Sequence, residues 1–443
     1  MKGMNVKIQQ KFLKKSLTIS IAILTLIGLT LTAAPAKAAA PVTISVALFT
    51  PPPPAAMLAQ FTKDTGITVK WTNVNWDALQ TKIAAAATAN TYFADATDVD
   101  WSRVGQLGKL GWFLPLENYL DVKALTADMP QLPSFTFGGH VVGVPFDASF
   151  MVTTINKSAF TKAGITTMPT TIDAYTKDLQ QIKQKGVMQY PLSIPFAAAE
   201  GLSTYWYQTT GAFGGHILDS AGKPLFSTPD TAGYKAATWM INAIKTGLVP
   251  PGNINVTDAN GEQTLMAKNK VASIYSDYSG AVGTLYNVPA SSSVVSQVVY
   301  LNTPGATGVG PNLGNPDGIG IPKQSKNPKA AATFIKWFTD SQNQADFTGA
   351  SGAAKTWAGG SFPSRISSMN ILNSKGKVVF GDVLTAMLKA HAAPVFPQGA
   401  PSWYPQFSNA VYTNLHAAAV GTETVAAAIK VISDTAIKLS NGG

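Results

Sequence analysis

No cysteine occurs anywhere in the 443 residues. That excludes disulfide scaffolds, thiolate catalysis and cysteine-bound zinc, and equally the lipid-modified cysteine that anchors many exported bacterial proteins. Histidine is almost as scarce. The four, His140, His216, His391 and His416, include no i, i+4 pair and no H-E-x-x-H, so a histidine metal site is not expected. Arginine occurs only at 103 and 365, too sparse for phosphate-ester recognition. No G-x-x-x-x-G-K-[ST] loop and no G-x-S-x-G elbow appear, and "GVGPNLG" (308–314) reads as a turn-rich connection rather than a dinucleotide loop. Beyond residue 38 the acidic residues are four Glu, at 117, 200, 262 and 423, and 19 Asp. Their number leaves a facing pair for glycoside hydrolysis open; nothing else points to catalysis, and neither an enzyme nor a cofactor is expected.

Long apolar runs are absent but for one. "LTISIAILTLIGLTL" (17–31) follows five lysines, at 2, 7, 11, 14 and 15, and precedes "TAAPAKA", where Ala36 and Ala38 stand in an A-x-A arrangement. This is the pattern of a cleavable export signal over 1–38. The run is short for a membrane span, and no later run reaches about 18 residues. Six of the 33 basic residues and none of the 23 acidic ones fall in 1–38, which leaves 27 against 23. With no basic run beyond it, nucleic-acid binding is not expected. A chain free of the membrane, in the periplasm or secreted, is the expected form.

Strand and helix patterns then alternate. Val42, Ile44, Val46 and Leu48 read as a half-buried strand, and "ITVKW" (67–71) repeats the alternation. Asn75 can cap a helix with Trp76, Leu79, Ile83 and Ala87 on its apolar stripe. "ADATDVDW" (94–101) supplies a third strand, and Ser102 can cap a helix stopping at Gly111. Further helices are predicted over 172–185, from Thr228-Pro229 to Gly247, after Asn327-Pro328, and around Val425–Ala436. Strands alternating with helices imply βαβ units and a largely parallel sheet.

What the chain has in excess is indole. Nine tryptophans follow the export segment. Trp76, Trp239 and Trp337 fall within predicted helices, and Trp112 precedes "FLPL"; these read as core. Trp101, Trp206, Trp357 and Trp403 read as turn or segment-end residues beside Ser, Tyr, Gly and Pro. There an indole plane can pack the core or stack on the apolar C–H face of a sugar, and both readings stay open.

Five segments in order carry a resemblance: "FTKDTGITVKWTNVNWDALQTKIAAA" (61–86), "DVDWSRVGQLGKLGWFLPLENYL" (98–120), "GGHVVGVPFDASFMVTTINKSAFTKAGI" (138–165), "GLVPPGNINVTDANGEQTLMAKNKVASIYSDYSG" (247–280) and "GIGIPKQSKNPKAAATFIKWF" (318–338). Together they resemble the extracellular solute-binding proteins of ABC transporters, family 1, of maltose/trehalose type. The resemblance implies an α/β, two-lobe periplasmic-binding-protein fold of type II, each lobe a mainly parallel sheet flanked by helices, joined by hinge crossings. It places lobe 1 at 39–147 and 317–370, and lobe 2 at 148–316 and 371–443. It further implies a monomer that clamps a sugar between its lobes and delivers it to the permease subunits of the transporter.

By the same resemblance, Trp101 stands at the aromatic position after the third strand and becomes a sugar-stacking platform. Tyr278 stands at an aromatic position with Asp277 beside it, Arg365 in a Pro-x-Arg, and Asp147 after "VPF". Trp403 or Tyr404 in "APSWYPQF" would offer another plane, with Trp206 and Trp357 as further candidates. The sequence departs from the pattern at Ser149, where an acidic residue is usual, and at "FTPPPP" (49–54), which leaves a contact from that loop in doubt. Two other classes stay open: a secreted glycan-acting enzyme, and the same fold carrying a polyamine in an acidic, aromatic-lined box.

Overall fold

A computed structural model describes residues 42–349, 362–390 and 392–442. The export segment, Trp357 and His391 lie outside the described residues. Strand β1 (Val42–Leu48) leads through helix α1 (Ala55–Thr65) to β2 (Ile67–Asn73). Gly66 closes α1 at φ +71°, in the left-handed region that a residue without Cβ enters freely. Asn75 caps α2 (Trp76–Ala89) through its side-chain oxygen, which accepts from the Asp77 N–H at 3.1 Å. β3 (Ala96–Asp100) follows, and β1 pairs in parallel with both β2 and β3.

The expected helix after β3 forms as α3 (Val104–Lys109), but Ser102 does not cap it; its N–H and hydroxyl both turn back to Asp100. A short polar side chain two residues past an aspartate finds that carboxylate sooner than the helix end. The helix predicted from Thr228-Pro229 starts later, at Ala232, because Thr228 to Asp230 form a hydrogen-bonded turn first. Part of 308–314 is strand rather than turn: Asn312–Gly314 pairs in parallel with Ala392–Pro394.

The first sheet is completed from far along the chain. The strand Asp317–Gly320 inserts antiparallel between β3 and Val144–Asp147. The second sheet orders Val298–Leu301, Met151–Asn156, Ser273–Tyr278 and Leu192–Ser193, with two antiparallel pairs and one parallel. Both sheets are therefore mixed rather than mainly parallel. Parallel pairing holds where βαβ units build the sheet and gives way where the chain crosses between sheets, since a strand returning directly runs antiparallel. The two crossing segments are held together: Asn315 donates its N–H to the Ser149 carbonyl at 3.0 Å, and Phe150 bridges Gly314.

Helices cover the sheets and bury them. Ile44, Val46 and Leu48 pack with Phe334, Ile335 and Phe338 of the helix Pro328–Phe338. The helices Ile172–Gln184, Glu200–Ala212, Ala232–Lys245, Tyr404–Val420 and Val425–Ser440 share a core beside the second sheet. The helix Ile366–Ser374 runs across residue 370, and Phe362, Met369 and Leu372 join Phe150 and Val152 in a core on the second sheet.

The crossing strand Asp317–Gly320 tolerates no bulk at its end. A Cβ on Gly320 would lie 2.4 Å from the Val142 carbonyl oxygen and 2.6 Å from Val99 Cγ2. Gly320→Ala should therefore lower stability by about 1–3 kcal/mol, read as a reduced midpoint in urea unfolding; an unchanged midpoint would show that this strand is not tightly seated.

Candidate functional site

Between the two sheets, beside the crossing segments, lies a cavity of about 570 Å³. Its walls come from both sides. Phe49, Thr50 and Pro51 follow β1, Asn75 to Asp77 open α2, and Asp100 to Ser102 follow β3. Asp147 and Asp317 end the crossing strands, while Glu200, Asp258 and Tyr278 face them from the second-sheet side. Each lies at a strand end or helix start, where the backbone stops pairing and side chains gather around open space. A second cavity of about 290 Å³ continues along α2 and α3, and Trp76 and Asp77 line both.

Residues 48–345 match the model of the bacterial extracellular solute-binding protein family. The chain belongs to that family. Solved structures agree over nearly the whole fold. The solute-binding protein of an ABC transporter from Agrobacterium radiobacter K84, in complex with ribitol, is 25% identical with a TM-score of 0.77, covering 90% of this chain and 98% of that one. Maltose-bound MalE3 of T. maritima is 20% identical with a TM-score of 0.75, over 90% and 100%. A solute-binding protein from Agrobacterium vitis S4 with bound D-mannitol is 23% identical with a TM-score of 0.74, over 90% and 99%. No curated protein matches. The family and these neighbours are binding proteins rather than enzymes.

In this solute-binding protein the structure brings Trp101, Asp147 and Tyr278 to the one cavity. Trp101 is 9% exposed and packs on Tyr404 and Phe396, with ring centroids 5.7 and 6.2 Å away, so it has little bare face to offer. The partly exposed indole is Trp76, which the stripe reading placed in the core; Phe49 and Tyr278 are partly exposed as well. It sits in the first turn of α2, ahead of the buried Leu79, Ile83 and Ala87, where the helix has just left the loop and its stripe is not yet covered. Phe49 and Pro51 also line the cavity, so the proline loop does reach it.

Other expected residues stand elsewhere. Trp206 lies inside the helix Glu200–Ala212, fully buried, donating to the Gly233 carbonyl at 2.8 Å and packing edge-on to Phe226. It is a core residue, because the helix buries that face under its neighbours. Asp277 alternates with Tyr278 along one strand and so points to the other face. There it accepts from Thr154, Gln263 and Tyr286 at 2.7, 2.8 and 2.7 Å. Arg365 donates to Asp128 at 3.1 Å and to the Thr339 carbonyl, away from the cavity. Trp403 stacks edge-on to Phe407 just before the helix Tyr404–Val420, and buried Tyr404 bonds Glu200. Neither Trp403 nor Tyr404 lines the cavity.

The floor is a row of carboxylates. Asp317 is in register with Asp100 on one side and Asp147 on the other, so three acids stand on adjacent strands. Asp147 accepts from the Ser149 N–H and hydroxyl at 2.8 and 2.6 Å and from the Phe362 N–H at 3.0 Å. Burial nevertheless raises it to about 6. Burial also raises Asp100, against the opposing charge of Arg103. Asp317 is pushed well above the carboxylate range by burial and by the charges of Asp98, Asp100 and Asp147, although a Trp76 hydrogen bond opposes this. In its protonated form it donates to Asp100. Glu200 is raised by burial, opposed by Arg103 and by the Tyr404 and Ser408 hydroxyls.

These shifts fix the sign of the pH dependence. A carboxyl raised in the native state binds its proton more tightly than in the unfolded chain, so its contribution is full below about pH 4 and is lost as pH rises through its native value. Asp95 and Asp128 work oppositely: donors hold them below the usual range despite burial, and their contribution fades only below about pH 4. The ligand-free protein should melt at a higher temperature at pH 5 than at pH 7.5. A scanning calorimetry series in which the midpoint falls from pH 7.5 to 5 would contradict this account of the floor.

Proposed function

We propose that this protein is the extracytoplasmic receptor of an ABC importer for a sugar or polyol, acting as a monomer and handing its ligand, chemically unaltered, to the permease subunits. The observation that carries the reading is the cavity between the two sheets, where the rings of Phe49, Trp76, Trp101 and Tyr278 stand beside carboxylates. A pyranose presents apolar C–H patches to an aromatic wall and hydroxyls to a carboxylate, and both are supplied within one cavity. Its volume of about 570 Å³ suits a small saccharide. The ribitol, mannitol and maltose in the neighbouring structures belong to the same chemical class.

In this reading the two crossing segments are the hinge, the first lobe takes 42–147 and 317–338, and the second begins at Met151. Asp147 and Ser149 act as a pair: the serine fixes the carboxylate, which accepts from a sugar hydroxyl. Export by the N-terminal segment to the periplasm or the medium belongs to the same proposal. So does release of ligand without turnover.

A thermal-shift screen of mono-, di- and oligosaccharides should find a ligand that raises the melting temperature, since binding to the native state alone stabilises it. Trp76→Ala should then weaken that ligand about tenfold with little change in the melting temperature of the free protein. Trp101→Ala should instead cost stability, about 3–5 kcal/mol, because that ring is packed. Calorimetric titration of the folded Trp76 variant with unchanged affinity would remove this ring from the site.

A further inference from the structure

The cavity is lined by more acidic groups than a neutral ligand requires. Among the described residues, six carboxylates line it, from Asp77, Asp100, Asp147, Glu200, Asp258 and Asp317, and no lysine, arginine or histidine does. Arg103 is the nearby cation, and its charge acts on Asp100 and Glu200. Among the described residues, the donors that hold Asp147 are neutral, the Ser149 and Phe362 groups. Like charges directly opposite on paired strands repel, so ionising all three acids of this row is costly, and a proton on Asp317 or an arriving cation relieves it. Asp317, in the middle, is 9% exposed and lines the cavity, yet its Oδ1 has no hydrogen-bond partner. A buried acceptor left unpaired is costly unless something arrives to pair it.

Among the described residues, no group of three His, Cys, Asp or Glu side chains is arranged to hold a metal ion. A hydroxyl or an ammonium can pair that oxygen; the row of acids in register and the surrounding indole and phenol rings favour the cation.

Resting on the sugar-receptor reading, we infer that the preferred ligand is an amine-bearing sugar, whose ammonium group is received by Asp317 between Asp100 and Asp147. The ammonium donates to the unpaired Oδ1 and neutralises the central repulsion, while the ring stacks against Trp76. Burial and the neighbouring acids hold Asp317 above the usual carboxylate range, so an arriving cation competes with its proton and binding releases protons to solvent. A neutral sugar provides no such exchange.

The test is calorimetric titration of the purified protein with matched sets: glucosamine, galactosamine and mannosamine, each against its N-acetylated and hydroxyl parents, with spermidine alongside. Running each in two buffers of different ionisation enthalpy counts the proton. The expected result is an amino sugar binding at least about tenfold tighter than both neutral counterparts, with proton release, and with the preference lost in Asp317→Asn. Should that variant fail to fold, the proton count on the unmodified protein still decides. Equal or tighter binding of a neutral sugar overturns this inference and leaves the sugar-receptor reading intact. Binding of no member of the set overturns this inference; spermidine binding, with no mono-, di- or oligosaccharide or polyol raising the melting temperature, overturns both.

Discussion

One insertion organises the molecule. The strand Asp317–Gly320 returns to the first sheet after the second is built and lies between β3 and Val144–Asp147. Its glycines let Phe135, Val99 and the Val142 carbonyl close over it. In that register Asp317 falls opposite Asp100 and Asp147. The sheet's completion and the acidic floor of the cleft are thus one event, and neither can be altered alone. The connecting segments at 147–151 and 314–317 are tied by backbone hydrogen bonds, so the place where the halves join is also where the cavity begins.

The cost of that floor is borne by hydrogen bonds and protons. Ser102 and Ser149 each give both an N–H and a hydroxyl to the aspartate two residues before them. This repeated D-x-S device orients one oxygen of each acid locally. Burial then raises the group as a whole. The aromatic walls divide in a similar way. Trp101 is consumed by packing against Tyr404 and Phe396, which ties the end of β3 to the C-terminal helices, while Trp76 remains partly open between two cavities. A binding protein needs both kinds of ring, one to hold the wall and one to meet a ligand.

Much of this was legible in residue order. Alternation marked β1 and β2, and Asn75 and Gly66 punctuated their helices as their side-chain chemistry requires. Asp147 and Tyr278 sit in motifs next to crossings, and both line the cavity. Asp277, one residue from Tyr278, was misplaced by its neighbour, since strand period two sends them to opposite faces. Trp206 reads as a turn residue because its glycine-flanked surroundings hide a helix. Trp76 reads as core because helical periodicity reports the stripe and not where cover begins. Asp317 and Glu200 gave no local signal: each is an isolated acid whose partners lie far along the chain.

The sequence by itself determined the family, the alternation of strands and helices, the exclusion of thiol and histidine-pair metal chemistry, and the richness in indole, because these depend on residue type and short-range period. The tertiary structure alone decided which indoles are bare, where the chain crosses, how parallel and antiparallel pairs are mixed, and which carboxylates meet. Those depend on strand register between segments roughly 170 to 220 residues apart, as between Asp147 or Asp100 and Asp317. Register is set by packing, and a shift of one residue would turn each of these side chains to the opposite face.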